Sequence, residues 1–173
     1  LLIPKRGKCK QVYLWCRMTG TGPPLAAFHF NKSRSKEVAK LLLENYSGTI
    51  IRDDYSAYHS LKCKAACCWA HLQRRLKSAC DKGYVRAVEP REMVRELYKI
   101  EADAKEAAQR KGSETALFQA RKTARVKSRK IADDFFELCR SLRDTDIPDS
   151  PVYEAVNYAL NIETELRRFL DNP

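Results

Sequence analysis

Two adjacent carboxylates, Asp53 and Asp54, follow directly after the short apolar run Thr49–Arg52 (TIIR). A carboxylate at the C-terminal end of a buried strand in an α/β sheet occupies a common position for catalysis. Equally, such residues cap a helix, here one beginning near Tyr55. As a catalytic group, Asp53 suits Mg²⁺ (or Mn²⁺), since Mg²⁺ takes hard oxygen ligands, often one or two carboxylates completed by phosphate oxygens. Two such ions about 3.5–4 Å apart activate a nucleophile and stabilise a leaving oxygen in phosphodiester chemistry.

A second group is basic. His71, Arg74, Arg75 and Lys77 lie within a stretch that reads as a helix, Ala70–Lys82. Spacing of three and four residues puts His71, Arg74 and Arg75 on one face. They suit contact with DNA phosphate, or form a solvated face with His71 satisfied in the core. Lys5, Arg6, Lys8 and Lys10 read as a solvated terminus or a flexible approach to the first strand. Tyr55 and Tyr58 suit stacking on a flipped base, or packing of a short helix onto a sheet. Cys63, Cys67, Cys68 and His71 are zinc-ligand types within nine residues. The second spaced ligand pair of a structural zinc site is missing, so the cysteines read as small buried hydrophobes.

Charge supports a nucleic-acid partner. The 173 residues carry 33 Lys+Arg against 22 Asp+Glu, a net +11. Residues 1–90 hold 17 basic and 6 acidic residues, and residues 91–173 hold 16 of each. The excess therefore lies in the first half, as in a patch that meets phosphates, or in a basic half with no partner. No run approaches the ~18 uncharged apolar residues of a membrane span. At 44% hydrophobic, the chain is not of disordered composition. Seven cysteines without a C-x-x-C pair, and no visible signal peptide, point to a reducing, cytoplasmic compartment.

The elements that must position these residues follow from pattern. Gln11–Arg17 and Leu25–Asn31 read as strands of a hairpin around the turn Met18–Pro24. Ser33 or Ser35 caps a helix to about Tyr46, ended by Gly48. Thr49–Arg52 reads as a strand, YSAYHSL as a short helical stretch, and Ala65–Trp69 as a buried strand. Gly83 stops the next helix. This alternation suggests a mixed sheet, with the hairpin joined to a parallel portion. From Arg91 the chain reads as helical. Met93, Leu97, Ile100, Ala104 and Ala107 mark one stripe. After a break at Lys111–Ser113, Leu117, Ala120, Ala124, Ile131, Phe135 and Leu138 mark a second, from Glu114 to about Leu142. Beyond the loop Asp144–Pro151, Ser150 caps and Pro151 opens a last helix with Val152, Ala155, Ala159, Ile162, Leu166 and Phe169 inward.

Several runs together resemble one known family. YLWC (Tyr13–Cys16), FHFNKSRSKEVAKLLL (Phe28–Leu43), GTIIRDDYSAY (Gly48–Tyr58) and CWAH (Cys68–His71), followed by Arg74 and Arg75, match in order the catalytic domain of insertion-sequence-66 family transposases. LYKIE (Leu97–Glu101) and AVNYALN (Ala155–Asn161) extend the likeness over essentially the whole chain. The resemblance implies an α/β, ribonuclease-H-like mixed sheet over residues 1–90, then an all-helical insertion and the start of the final core helix region over residues 91–173. It implies an Asp, Asp, Glu triad on two divalent metals and DNA strand cleavage and transfer. Asp53 matches the second Asp, and Asp54 stands where the family usually has Gly. The first Asp is expected ahead of Leu1 and the Glu after Pro173, so the chain would hold one of three catalytic carboxylates and be inactive alone. Gln73 departs from the family's spacing of basic residues after His71. DNA is the implied partner, with a homo-oligomer possible in the whole protein and no membrane. Two other functions compete: a non-catalytic basic nucleic-acid-binding module, and a helical interaction protein whose neutral second half binds a partner.

Overall fold

The computed structural model describes residues 2–5, 8–20, 22–110 and 113–172. The chain is mixed α/β and divides into two compact units, Leu1–Ala65 and Ala66–Pro173.

The first unit carries the strands. β1 (Leu2–Lys5) and β2 (Lys8–Gln11) pair antiparallel, with Leu2 opposite Gln11 and Lys5 opposite Lys8. The segment expected to be a plain solvated terminus is thus a strand pair. Backbone pairing needs no apolar side chains, and the alternation Lys-Cys-Lys-Gln has the two-residue period of a strand. Arg6 lies outside the described residues. β3 (Tyr13–Met18) and β4 (Ala26–Asn31) form the expected hairpin, in register from Tyr13 opposite Asn31 to Met18 opposite Ala26. Thr19 closes its turn: the Thr19 N–H donates to the Leu25 carbonyl, and its hydroxyl donates to Pro23 and accepts from the Leu25 N–H. Alternation then puts Leu14, Cys16, Met18, Ala26, Phe28 and Phe30 on one face, and all six are exposed.

Helix α1 (Lys36–Leu43) stops short of Tyr46. Gly48 is needed for a different reason from a helix stop. The Tyr46 ring folds back so that its hydroxyl donates to the Thr49 carbonyl, and a Cβ at position 48 would stand 2.5 Å from that hydroxyl. β5 (Thr49–Arg52), a 3₁₀ turn (Ser56–Tyr58) and β6 (Lys64–Cys67) follow. The described strands form three two-stranded pairs, β1–β2, β3–β4 and β5–β6, and not one mixed sheet. Alternating strand and helix patterns fix the order of elements but not which edges pair.

The second unit is helical: α2 (Trp69–Asp81), α3 (Val88–Gln109), α4 (Glu114–Thr145), α5 (Pro151–Asn161) and α6 (Glu163–Arg167), then a 3₁₀ turn (Arg168–Asp171). Trp69 opens α2 and is not the end of a strand. Gly83, at φ +87°, ends α2 as expected, with its N–H on the Cys80 carbonyl and the Tyr84 N–H on Ala79. The break at Lys111–Gly112 lies outside the described residues. Ion pairs Glu96–Lys127 (2.9 Å) and Glu101–Arg125 (3.0 Å) run in opposite senses along α3 and α4, so the two helices are antiparallel. The Ser150 hydroxyl accepts the Tyr153 N–H at 3.0 Å, the expected cap.

This unit's core is Trp69, Leu72, Leu76, Val94, Leu97, Phe135, Phe136, Val152, Val156 and Leu166 with smaller residues between them. Complete burial of each large side chain contributes about 1.5–3 kcal/mol. The Trp69 ring meets Phe135 and Phe169 edge-on, and its N–H donates to the Leu166 carbonyl at 2.8 Å. The stripes differ from expectation in detail. In α3, Ala108 is buried and Ala107 exposed. In α4, Arg125, Ser128, Ala132, Phe136 and Cys139 are buried, while Leu117, Ala120, Ala124, Ile131 and Leu138 are half-buried. The last helix breaks at Ile162, which stays buried. Among the described residues, no helix is long and apolar enough to cross a membrane.

Candidate active site

Asp53 is the first residue past β5. Its carboxylate accepts the backbone N–H of Tyr55 at 3.1 Å, closing a turn two residues long. That bond leads the chain into the 3₁₀ turn, whose cap position is Tyr55 with no side-chain cap bond, so Asp53 closes the preceding turn and does not cap the helical one. The side chain is half-buried.

Its neighbours hold the turn from both sides. The Tyr55 hydroxyl donates to the Arg34 carbonyl at 2.9 Å. Tyr58 sits edge-on to Tyr55 (5.7 Å between ring centres) and to Trp15 of β3 (6.2 Å). Trp15 in turn donates its indole N–H to the Ser33 carbonyl. Tyr55 and Tyr58 therefore pack the short helical turn onto the strands. Burial, and after it the negative charge of Asp53, pushes the Tyr58 phenol above its ordinary value.

Asp54 faces different partners. Its Oδ1 lies 2.6 Å from His59 Nε2 and 3.6 Å from Arg52 Nη1. Arg52 Nη1 also donates to the Asp53 carbonyl at 2.8 Å, and the Arg52 side chain is only 8% exposed. Arg52 thus ties both aspartates to the end of β5, through a backbone oxygen of one and a carboxylate of the other. Sequence reasoning passed over Arg52 and His59. Their signal, a cation and an imidazole flanking an acidic pair, lacks a fixed spacing.

The other expected site residues lie in the second unit, on α2. Arg74, Arg75 and Lys77 are exposed and His71 is half-buried. The Arg75 guanidinium stacks on the Tyr158 ring at 4.3 Å, which fixes its plane. Lys77 pairs with Asp81 at 2.5 Å one turn on, so it brings the least net charge. Burial and the nearby Cys68 raise the Tyr98 phenol, and Arg74 opposes this shift.

Among the described residues, no three His, Cys, Asp or Glu side chains are grouped so as to hold a metal ion. Cys67 and Cys139 are buried, and burial pushes the Cys139 thiol up to about 12, an inert core residue. For Mg²⁺, the donor set is one carboxylate, Asp53, with Asp54 engaged by His59 and Arg52. One carboxylate is a single ligand of a six-coordinate ion, so these residues do not hold the metal alone.

The sequence profile of the Transposase IS66 family matches residues 1–173. The chain is 30% identical over 189 residues to Uncharacterized protein y4qI of Sinorhizobium fredii (strain NBRC 101917 / NGR234), covering 98% of this chain and 33% of that protein. It is 25% identical over 189 residues to Uncharacterized protein y4jD of the same organism, covering 99% and 35%. The chain thus spans about a third of the length of the curated relatives it matches. No solved structure matches. The chain belongs to the Transposase IS66 family.

Proposed function

We propose that this member of the Transposase IS66 family forms part of the catalytic domain of a DNA transposase and supplies one active-site carboxylate, Asp53. The observation that carries this reading is the placement of Asp53: directly past β5, with its carboxylate fixed by the Tyr55 N–H. The reading includes a ribonuclease-H-like core over residues 1–90, completed in the whole protein, and a helical insertion over residues 91–173. Compactness groups α2 with the later helices, whereas the functional boundary keeps α2 and its basic residues with the core.

In the whole protein, Mg²⁺ or Mn²⁺ would supply activation of the attacking hydroxyl and stabilisation of the leaving oxygen. The described residues have narrower tasks. Asp53 presents a carboxylate of set orientation. Arg52 and His59 hold the Asp54 carboxylate, so a second negative charge does not compete at the same place. Arg74 and Arg75 contact phosphate, with His71 and Lys77 in lesser roles. The overall reaction forms one phosphodiester bond as another breaks, with the displaced strand leaving as a hydroxyl.

The test uses the whole protein that carries this chain, in a strand-transfer assay with Mg²⁺ or Mn²⁺. The Asp53→Asn variant is expected to lose about a hundredfold or more in joining, at least the scale on which metal-site support is lost, while still binding duplex DNA. Joining at the parent's rate would overturn the catalytic assignment. What would then remain is a basic module that holds DNA without cutting it.

A further inference from the structure

The run Lys32-Ser-Arg-Ser-Lys36 links β4 to α1 and places three cations in five residues. Its backbone is ordered from within. The Asn31 side chain accepts the Ser33 N–H at 2.9 Å, and the Ser33 hydroxyl accepts the Ser35 N–H at 3.1 Å. The central residue, Arg34, is exposed. Its guanidinium lies over the Tyr55 ring at 4.8 Å and the Tyr13 ring at 5.7 Å, and its carbonyl accepts the Tyr55 hydroxyl. Among the described residues, no carboxylate or carbonyl accepts from the Arg34 guanidinium.

We propose that Arg34 is a DNA-phosphate-binding residue beside Asp53, with its guanidinium held flat by Tyr13 and Tyr55 so that its donor edge meets the backbone. Three observations converge. The Tyr55 that carries the guanidinium on its ring also gives its N–H to Asp53, so cation and carboxylate share one support. A guanidinium stacked on an aromatic face keeps its planar fork of donors available for a phosphate. The other cation at this turn, Arg52, is already committed to Asp53 and Asp54. Arg34 is thus a preorganised cation that shares Tyr55 with the carboxylate. The assignment rests on the reading of Asp53 as an active-site residue, and deepens it by naming a group that holds the substrate strand there.

The experiment measures binding of a labelled DNA duplex by the whole protein without divalent metal, from about 50 to about 200 mM salt. Arg34→Ala is expected to weaken binding about tenfold and to lower the slope of log affinity against log salt by about one, the signature of one lost phosphate contact. Arg34→Lys is expected to keep the slope but bind several-fold more weakly, because an ammonium neither stacks nor presents a fork. An unchanged slope in Arg34→Ala overturns the proposal even if joining falls, and would make Arg34 only a clamp on the turn. If Arg34→Ala does not fold, as read from its thermal melt, Arg34→Lys decides alone, and parent-level affinity overturns the proposal. The two readings fail separately. An Asp53→Asn protein that still joins DNA sinks the catalytic reading but leaves the Arg34 slope to be judged alone, whereas an unchanged slope beside an inactive Asp53→Asn sinks only the phosphate contact.

Discussion

The two units hold their shapes by different means. Among the described residues of the first unit, the buried apolar side chains are Val12, Val38, Ala39 and Ala57, none larger than valine. The second buries Trp69, Leu72, Leu76, Leu97, Phe135, Phe136 and Leu166. The bonds differ in reach as well. Order around Asp53 combines contacts a few residues apart, such as Tyr55 to Asp53 and Ser33 to Asn31, with ones of middle range, such as Tyr55 to the Arg34 carbonyl and Trp15 to the Ser33 carbonyl. The helical unit is tied across long stretches, by Trp69 to Leu166, Arg125 to the Phe169 carbonyl and Lys127 to Glu96. Charge follows the same divide: residues 1–65 carry 12 Lys+Arg against 4 Asp+Glu, and residues 66–173 carry 21 against 18. The precision of a site and the stability of a fold thus come from separate parts of the chain. A carboxylate can be aimed by its own turn without a large core beneath it.

The contrast can be broken by mutation. The largest expected effect is Leu72→Ala. Its side chain is wholly buried, and truncation of such a leucine costs about 2–5 kcal/mol through lost transfer energy and a residual cavity. Urea unfolding followed by helical circular dichroism measures it. The smallest is Phe28→Ser, at 65% exposure on the β3–β4 face. It is expected to shift stability by less than about 0.5 kcal/mol, as exposed substitutions do. A loss for Phe28→Ser equal to that for Leu72→Ala would show that the face is packed in solution, and the contrast would fall.

What could be read from the sequence was local chemistry. Gly83 stopped a helix because a positive φ favours glycine. Ser150 and Pro151 opened one because a hydroxyl and a fixed φ suit a first turn. The hairpin of β3 and β4 followed from alternation around a Gly- and Pro-rich turn. Strand pairing was not legible, since it depends on edges that meet through space. Nor was the burial of Arg125, because an arginine on a helix reads as solvent-facing until its partners, Glu101 and the Phe169 carbonyl, are known. The position of Asp53 at the end of a strand was legible from the apolar run before it. The pairing of Asp54 with His59, and the stacking of Arg34 on Tyr55, belong to tertiary geometry.

The bare face formed by Leu14, Met18, Phe28 and Phe30 has a consequence for how the protein behaves in a tube. At low ionic strength a net charge of +11 keeps molecules apart, because like charges repel over the Debye length. That length shrinks to about 10 Å at 0.1 M salt and about 3 Å at 1 M. Salt should therefore screen that repulsion and let these faces find each other. Light scattering of the protein across a salt series should rise with salt, and Phe28→Ser should flatten that rise.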